Sequence, residues 1–213
     1  MNNEKHQNDE EMTTEVGIFE DSESDFEENP IDDEKENAAE ASEEYKPLGR
    51  YDKILYRVYC DDTITSILKS LCYTAVALTV YAFLYYLSVT LPIAPMEALR
   101  SIVVCAVPFI AVTLARRIIN APRPYELYPF YKVPPKKKRG LGYPSRHVFS
   151  IFVIAAVLAF ENIFLGIGIA LLGVMLAVCR ILLGIHFIRD TVAGAVIGIS
   201  SGIIGIYITR FVF

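Results

Sequence analysis

Residues 148–185 read VFSIFVIAAVLAFENIFLGIGIALLGVMLAVCRILLGI. Apart from Glu161-Asn162 and Arg180, every residue in this run is apolar or small. Its length suits two short membrane crossings at roughly 20 residues each, with a tight turn at Glu161-Asn162. Three more apolar segments surround it. Ser70–Leu91 carries no charge, and Pro92 and Pro95 follow it as breakers. Ala98–Ala115 comes next, with Arg100 near enough to its start to snorkel. Thr191–Thr209 is the last. The predicted fold is therefore an all-α integral membrane bundle of about five transmembrane helices.

The net charge of -5 averages two unlike regions. Residues 1–45 hold 18 Asp/Glu and 2 Lys/Arg, whereas 46–213 hold 7 and 18. Residues 1–45 cluster too little apolar surface to offset their ordering entropy, and they read as a disordered acidic tail. Residues 46–69 interleave Tyr51, Tyr56 and Tyr59 with Arg50, Lys53 and Arg57. They read either as an amphipathic helix at the membrane interface or as an extension of the first span. The transmembrane domain then covers 70–213. No basic stretch followed by an apolar core marks a secretory signal. Cys60, Cys72, Cys105 and Cys179 lie in or beside apolar segments at no metal-like spacing, as buried thiols do. Gly194, Gly198 and Gly202 recur every four residues, the pattern of close packing between helices.

Loop charge sets the expected orientation. The 116–147 connection holds nine Lys/Arg and one acid, Glu126, and 46–69 adds five bases. The loops at 92–97 and 161–162 have no bases. The positive-inside rule puts the N-terminus and the 116–147 loop in the cytoplasm, in the cell membrane. An odd number of spans places the 180–190 turn on the same side.

Three fragments bring charge or imidazole to that side. His186 and Asp190 are four apart, so a helical turn puts them on one face. A carboxylate beside an imidazole selects its tautomer and raises its basicity, and the free nitrogen can attack phosphorus. Asp190 could equally cap the helix that follows it. Arg116, Arg123 and Arg180 could be interfacial anchors, or could converge on phosphoryl oxygens as planar, bidentate donors. Ser145 would sit near the N-terminus of the span after it, where free N–H groups attract anions. His147 would there be placed to protonate a leaving oxygen.

The fragments read Arg116-x6-Arg123-Pro124, Pro144-Ser145-Arg146-His147 and Cys179-Arg180-x5-His186-x3-Asp190. Together they resemble the signature of the type 2 phosphatidic acid phosphatase superfamily, related to vanadium haloperoxidases: K-x6-R-P, P-S-G-H and S-R-x5-H-x3-D. The resemblance runs from about Ala98 to the C-terminus. It implies a lipid phosphate phosphatase that needs no metal and no cofactor. His186 would form a phosphohistidine, Asp190 would orient it, and His147 would be the general acid. Arg116, Arg123, Arg180 and Ser145 would hold the phosphoryl group. Three positions depart from the signature. Arg116 stands for lysine, Cys179 for serine, and Arg146 for glycine, where it either adds to the phosphate clamp or narrows the pocket. The implied substrates are lipid monoesters or diphosphates: phosphatidic acid, phosphatidylglycerol phosphate or polyprenyl diphosphate. The implied partners are that substrate and the membrane lipids. Nucleic acid has no place in the reading, and a homo-oligomer is compatible with it. The competing reading is a non-catalytic protein that binds anionic head groups or a partner. A small transporter fits less well, because no internal repeat is visible.

Overall fold

The computed structural model describes residues 49–127 and 140–212. The acidic tail and the Lys136-Lys137-Lys138-Arg139 patch lie outside the described residues. Every regular element among the described residues is a helix: α1 Arg50–Cys60, α2 Asp62–Thr90, α3 Pro95–Ile119, α4 Pro124–Leu127, α5 Arg146–Glu161, α6 Ile163–Leu182 and α7 Ile188–Val212.

Asp61 separates α1 from α2. Its extended backbone breaks the first helix, and its carboxylate caps the second by accepting the Ile64 N–H at 3.0 Å. Helix α1 buries Leu55 and Val58 against its neighbours, α2 and α6. Helix α2 thus starts eight residues before the expected span. Its 29 residues reach about 43 Å at a rise of ~1.5 Å, beyond the ~30 Å apolar slab. Pro95 sits at the first position of α3, where its missing N–H has no helical partner to lose. The turn expected at Glu161-Asn162 is there, with the Asn162 carboxamide accepting the Phe164 and Leu165 N–H groups to start α6.

Among the described residues, four helices are long and apolar enough to cross a bilayer: Asp62–Thr90, the stretch Pro95–Leu127, Ile163–Leu182 and Ile188–Arg210. Their outer faces expose Tyr73, Leu84, Val107, Phe164 and Val196, a surface suited to lipid rather than water. The chain is an integral membrane protein. The fifth expected span corresponds to α5, which differs in kind. Its 16 residues reach only about 24 Å. It touches α2, α3, α6 and α7, and Val148, Phe149, Ile151, Val153, Val157 and Leu158 are buried. A helix solvated by other helices need not match the bilayer thickness.

The glycine stripe is what lets α7 lie against α5. A Cβ at Gly198 would stand 2.7 Å from the Phe149 carbonyl oxygen, and one at Gly194 2.7 Å from that of Ser145. At Gly202 it would meet the Ala156 Cβ at 2.6 Å. Gly198→Ala gains about 1 kcal/mol of helix propensity. It also forces two backbones apart, and overpacking costs about 1–3 kcal/mol. The expected result is a lower thermal unfolding midpoint in detergent. An equal or higher midpoint would show that α7 can shift without loss.

Candidate active site

The three sequence fragments are stitched together through their backbones at one end of the bundle. Tyr125 donates its N–H to the Gly184 carbonyl at 3.2 Å, Gly142 to Ala121 at 2.7 Å, and Ser145 to Asp190 at 3.0 Å. Side chains reinforce the first two segments. Glu126 accepts the Gly140 N–H at 2.8 Å, and Arg123 Nε donates to the Gly140 carbonyl at 3.1 Å. Neither Gly140 nor Glu126 was flagged by the sequence, since their roles depend on a contact fourteen residues apart.

His186 sits on a tight turn between α6 and α7. Gly184 takes φ 63°, which glycine adopts without strain. The Arg180 carbonyl accepts the N–H of Ile185 at 3.1 Å and of His186 at 3.4 Å. Helix α7 begins at Ile188, three residues before the expected Thr191, so Asp190 lies inside its first turn rather than ahead of it. There Asp190 Oδ2 accepts the Phe187 N–H at 3.0 Å, reaching back to cap the helix from within. The same oxygen is 3.8 Å from His186 Nδ1, an electrostatic contact longer than a hydrogen bond. Asp190 Oδ1 has Arg189 Nε at 3.4 Å, without hydrogen-bond geometry. Capping and imidazole contact are therefore both present. His186 is 2% exposed, and this burial pushes its pKa below the ordinary value. The Asp190 carboxylate acts the other way, and the Arg123 charge adds to the lowering. Burial thus favours the neutral imidazole.

The cations differ in what they have left to offer. Arg116 is buried and donates through Nη1 to the Pro144 carbonyl at 2.7 Å and through Nη2 to that of Leu141. Each of its terminal nitrogens thus donates one N–H to the segment that carries Ser145. Arg123 is half-buried and lies 5.7 Å from the centre of the Tyr125 ring. Arg180 is half-buried, and its Nε is buried with no hydrogen-bond partner. Ser145 is fully buried, yet its hydroxyl neither caps α5 nor meets any other partner. His147 is exposed, with Arg180, His186, Arg146 and Arg116 as its electrostatic neighbours. Cys179, in place of the signature's serine, is buried beside Cys72 in the core shared by α2, α5 and α6, where a thiol packs as a small apolar group.

A groove of about 330 Å³ opens beside the site. Val76, Thr79 and Val80 of α2, Phe109 of α3, and Ile151 and Ile154 of α5 line it. Arg146, His147 and Ser150 of α5 line it as well, and Arg146 brings the one formal charge. The sequence could not place these residues, because nothing in it says which faces of α2 and α3 meet α5.

No curated protein matches the chain at a significant level. Two solved structures share the fold. LpxE of Aquifex aeolicus has a TM-score of 0.54 at 20% identity, over 81% of this chain and 94% of that one. The first transmembrane PAP2-type phosphatidylglycerolphosphate phosphatase of Bacillus subtilis has a TM-score of 0.55 at 15% identity, over 87% and 89%. The PAP2 superfamily model matches residues 97–212, which contain all three fragments and more than half of the chain. The protein belongs to the PAP2 superfamily, the type 2 phosphatidic acid phosphatases.

Proposed function

We propose that this lipid phosphate phosphatase cleaves its substrate in two steps through His186. In the first, His186 Nε2 attacks phosphorus, the bond to the leaving oxygen breaks, and His147 supplies that oxygen's proton. In the second, water attacks the phosphohistidine, His147 takes the water's proton, and inorganic phosphate leaves. Asp190 keeps the Nδ1 proton on its own side of the ring. Arg180, Arg123 and the Ser145 hydroxyl hold the phosphoryl oxygens, together with the N–H groups at the start of α5. Arg116 positions the Ser145 segment through its two carbonyl contacts rather than gripping phosphate directly.

One observation carries this reading. Ser145 Oγ, Arg180 Nε, His186 Nδ1 and Asp190 Oδ1 are all buried and lack hydrogen-bond partners, and they lie on segments bonded to one another. Buried polar atoms are normally satisfied, so a cluster of open ones is a site awaiting a polar ligand. A phosphoryl group supplies acceptors to the donors among them.

The candidate lipids are phosphatidic acid, phosphatidylglycerol phosphate and polyprenyl diphosphate. The residues named for the site all come from one chain. Quenching the enzyme during turnover of a lipid with a labelled terminal phosphate should leave label on the protein, stable in alkali and lost in acid. Label that resists acid, or that persists in His186→Ala, would refute the histidine route.

The proposed setting is the cell membrane with the site facing the cytoplasm, on the strength of the basic 116–147 loop. An impermeant thiol reagent should leave Lys137→Cys unlabelled in intact cells and label it after lysis. Rapid labelling of intact cells would reverse the orientation.

A further inference from the structure

The phosphatase reading leaves open whether the leaving group is a lipid alcohol or a lipid phosphate, and the following inference rests on that reading. We infer that Arg146 is a specificity-determining residue that stabilises a charged leaving group, so that lipid diphosphates are preferred over lipid monophosphates.

Arg146 and His147 are the first two residues of α5, and both line the apolar groove between α2, α3 and α5. The groove suits the hydrocarbon tail. The phosphorus must lie on the other side of His147, toward His186 and Arg180. The oxygen that His147 protonates is therefore the one joining the phosphoryl group to the half of the substrate in the groove. Arg146 stands on that half.

No acid among the described residues pairs with its charge. The ion pairs among the described residues are Arg100–Glu97, His186–Asp190 and Arg189–Asp190. None includes Arg146, and its electrostatic neighbours Arg116 and His147 add no negative charge. Arg116 cannot swing across to do the same task, since both terminal nitrogens hold carbonyls. A half-buried guanidinium among cations is relieved by an anion, and a bidentate phosphate suits its geometry.

The two substrate classes use this charge differently. When His186 displaces a lipid alcohol, the electron pair of the P–O bond goes to the alkoxide oxygen and one proton from His147 neutralises it. When it displaces a lipid monophosphate, the same pair goes to the bridging oxygen, and the leaving phosphate keeps negative charge on its other oxygens after that proton arrives. Only this second leaving group carries charge for Arg146 to meet. Glycine at the same position would offer none.

The test compares two lipids with the same tail, geranylgeranyl diphosphate and geranylgeranyl monophosphate, with the full chain in detergent and EDTA. Wild-type kcat/KM should favour the diphosphate by at least about tenfold, about the worth of one charge-assisted hydrogen bond. Arg146→Gly and Arg146→Gln should each erase most of that ratio, through a loss in the diphosphate arm at least tenfold greater than in the monophosphate arm. Arg146→Lys should retain part of it. Equal losses on both lipids, or a ratio unchanged by Arg146→Gln, would overturn the inference while leaving the phosphatase reading intact. No release from either lipid by wild type, beyond that of His186→Ala, would overturn both.

Discussion

His186→Ala should reduce kcat by about 10⁴-fold or more on every lipid, the scale seen when a catalytic nucleophile is removed. The substitution removes the atom proposed to bond to phosphorus. It does not disturb the turn that holds it, because the His186 N–H to Arg180 carbonyl contact belongs to the backbone. Normal folding with residual turnover above a few per cent would exclude His186 as nucleophile. Its protonation gives a second readout. Only the neutral imidazole attacks, and burial sets its pKa below the ordinary ~6.5. Activity therefore falls as pH drops through that lowered value. The acid limb of kcat/KM should lie below pH ~6.5. The Asp190 carboxylate raises this pKa, so Asp190→Asn should move the limb still lower.

Arg180→Ala should cost about 10²–10³ in kcat/KM, the range for losing one preorganised donor to transition-state charge. Its Nε is buried and unpartnered, so that N–H can meet a phosphate oxygen without giving up another acceptor. Its backbone carbonyl continues to hold Ile185 and His186 whatever the side chain. Arg180→Lys should recover only part of the loss, since an ammonium keeps the charge without the planar fork. A loss below tenfold with Arg180→Ala, measured beside unchanged thermal stability, would make Arg180 an interfacial anchor.

Much of this was readable from the chain, and the failures have physical causes. Apolar runs and their breaks locate helices, so the turn at Glu161-Asn162 could be read directly. Helix ends were less legible. Residues 62–69 carry Asp62 and Lys69 and read as outside the first span, yet the helix continues through them because the bilayer does not limit its length. Ile188 and Arg189 precede Asp190, and the helix recruits all three by capping from within. The spacing of His186 and Asp190 anticipated their proximity, although His186 lies in the turn ahead of α7 and only Asp190 is helical. Spacing could not reveal that Arg116 would be consumed by two carbonyls 25 and 28 residues away. Nor could it reveal the groove, whose walls come from three helices.

The shortness of α5 has a consequence for how the protein is made. This helix carries Arg146 and His147 and follows directly on Ser145, and at about 24 Å it cannot satisfy a bilayer alone. It is sheathed partly by α7, whose glycines abut its backbone and whose Asp190 carbonyl receives the Ser145 N–H. Yet α7 is translated after every other helix described here. A ribosome-bound chain that has inserted the segments up to α6 holds the clamp arginines and one imidazole without a closed pocket around them. On the proposed mechanism, His186 and Asp190 meet the other site residues only once α7 is in place, so a chain lacking α7 would not strip phosphate from the lipids through which it is being threaded.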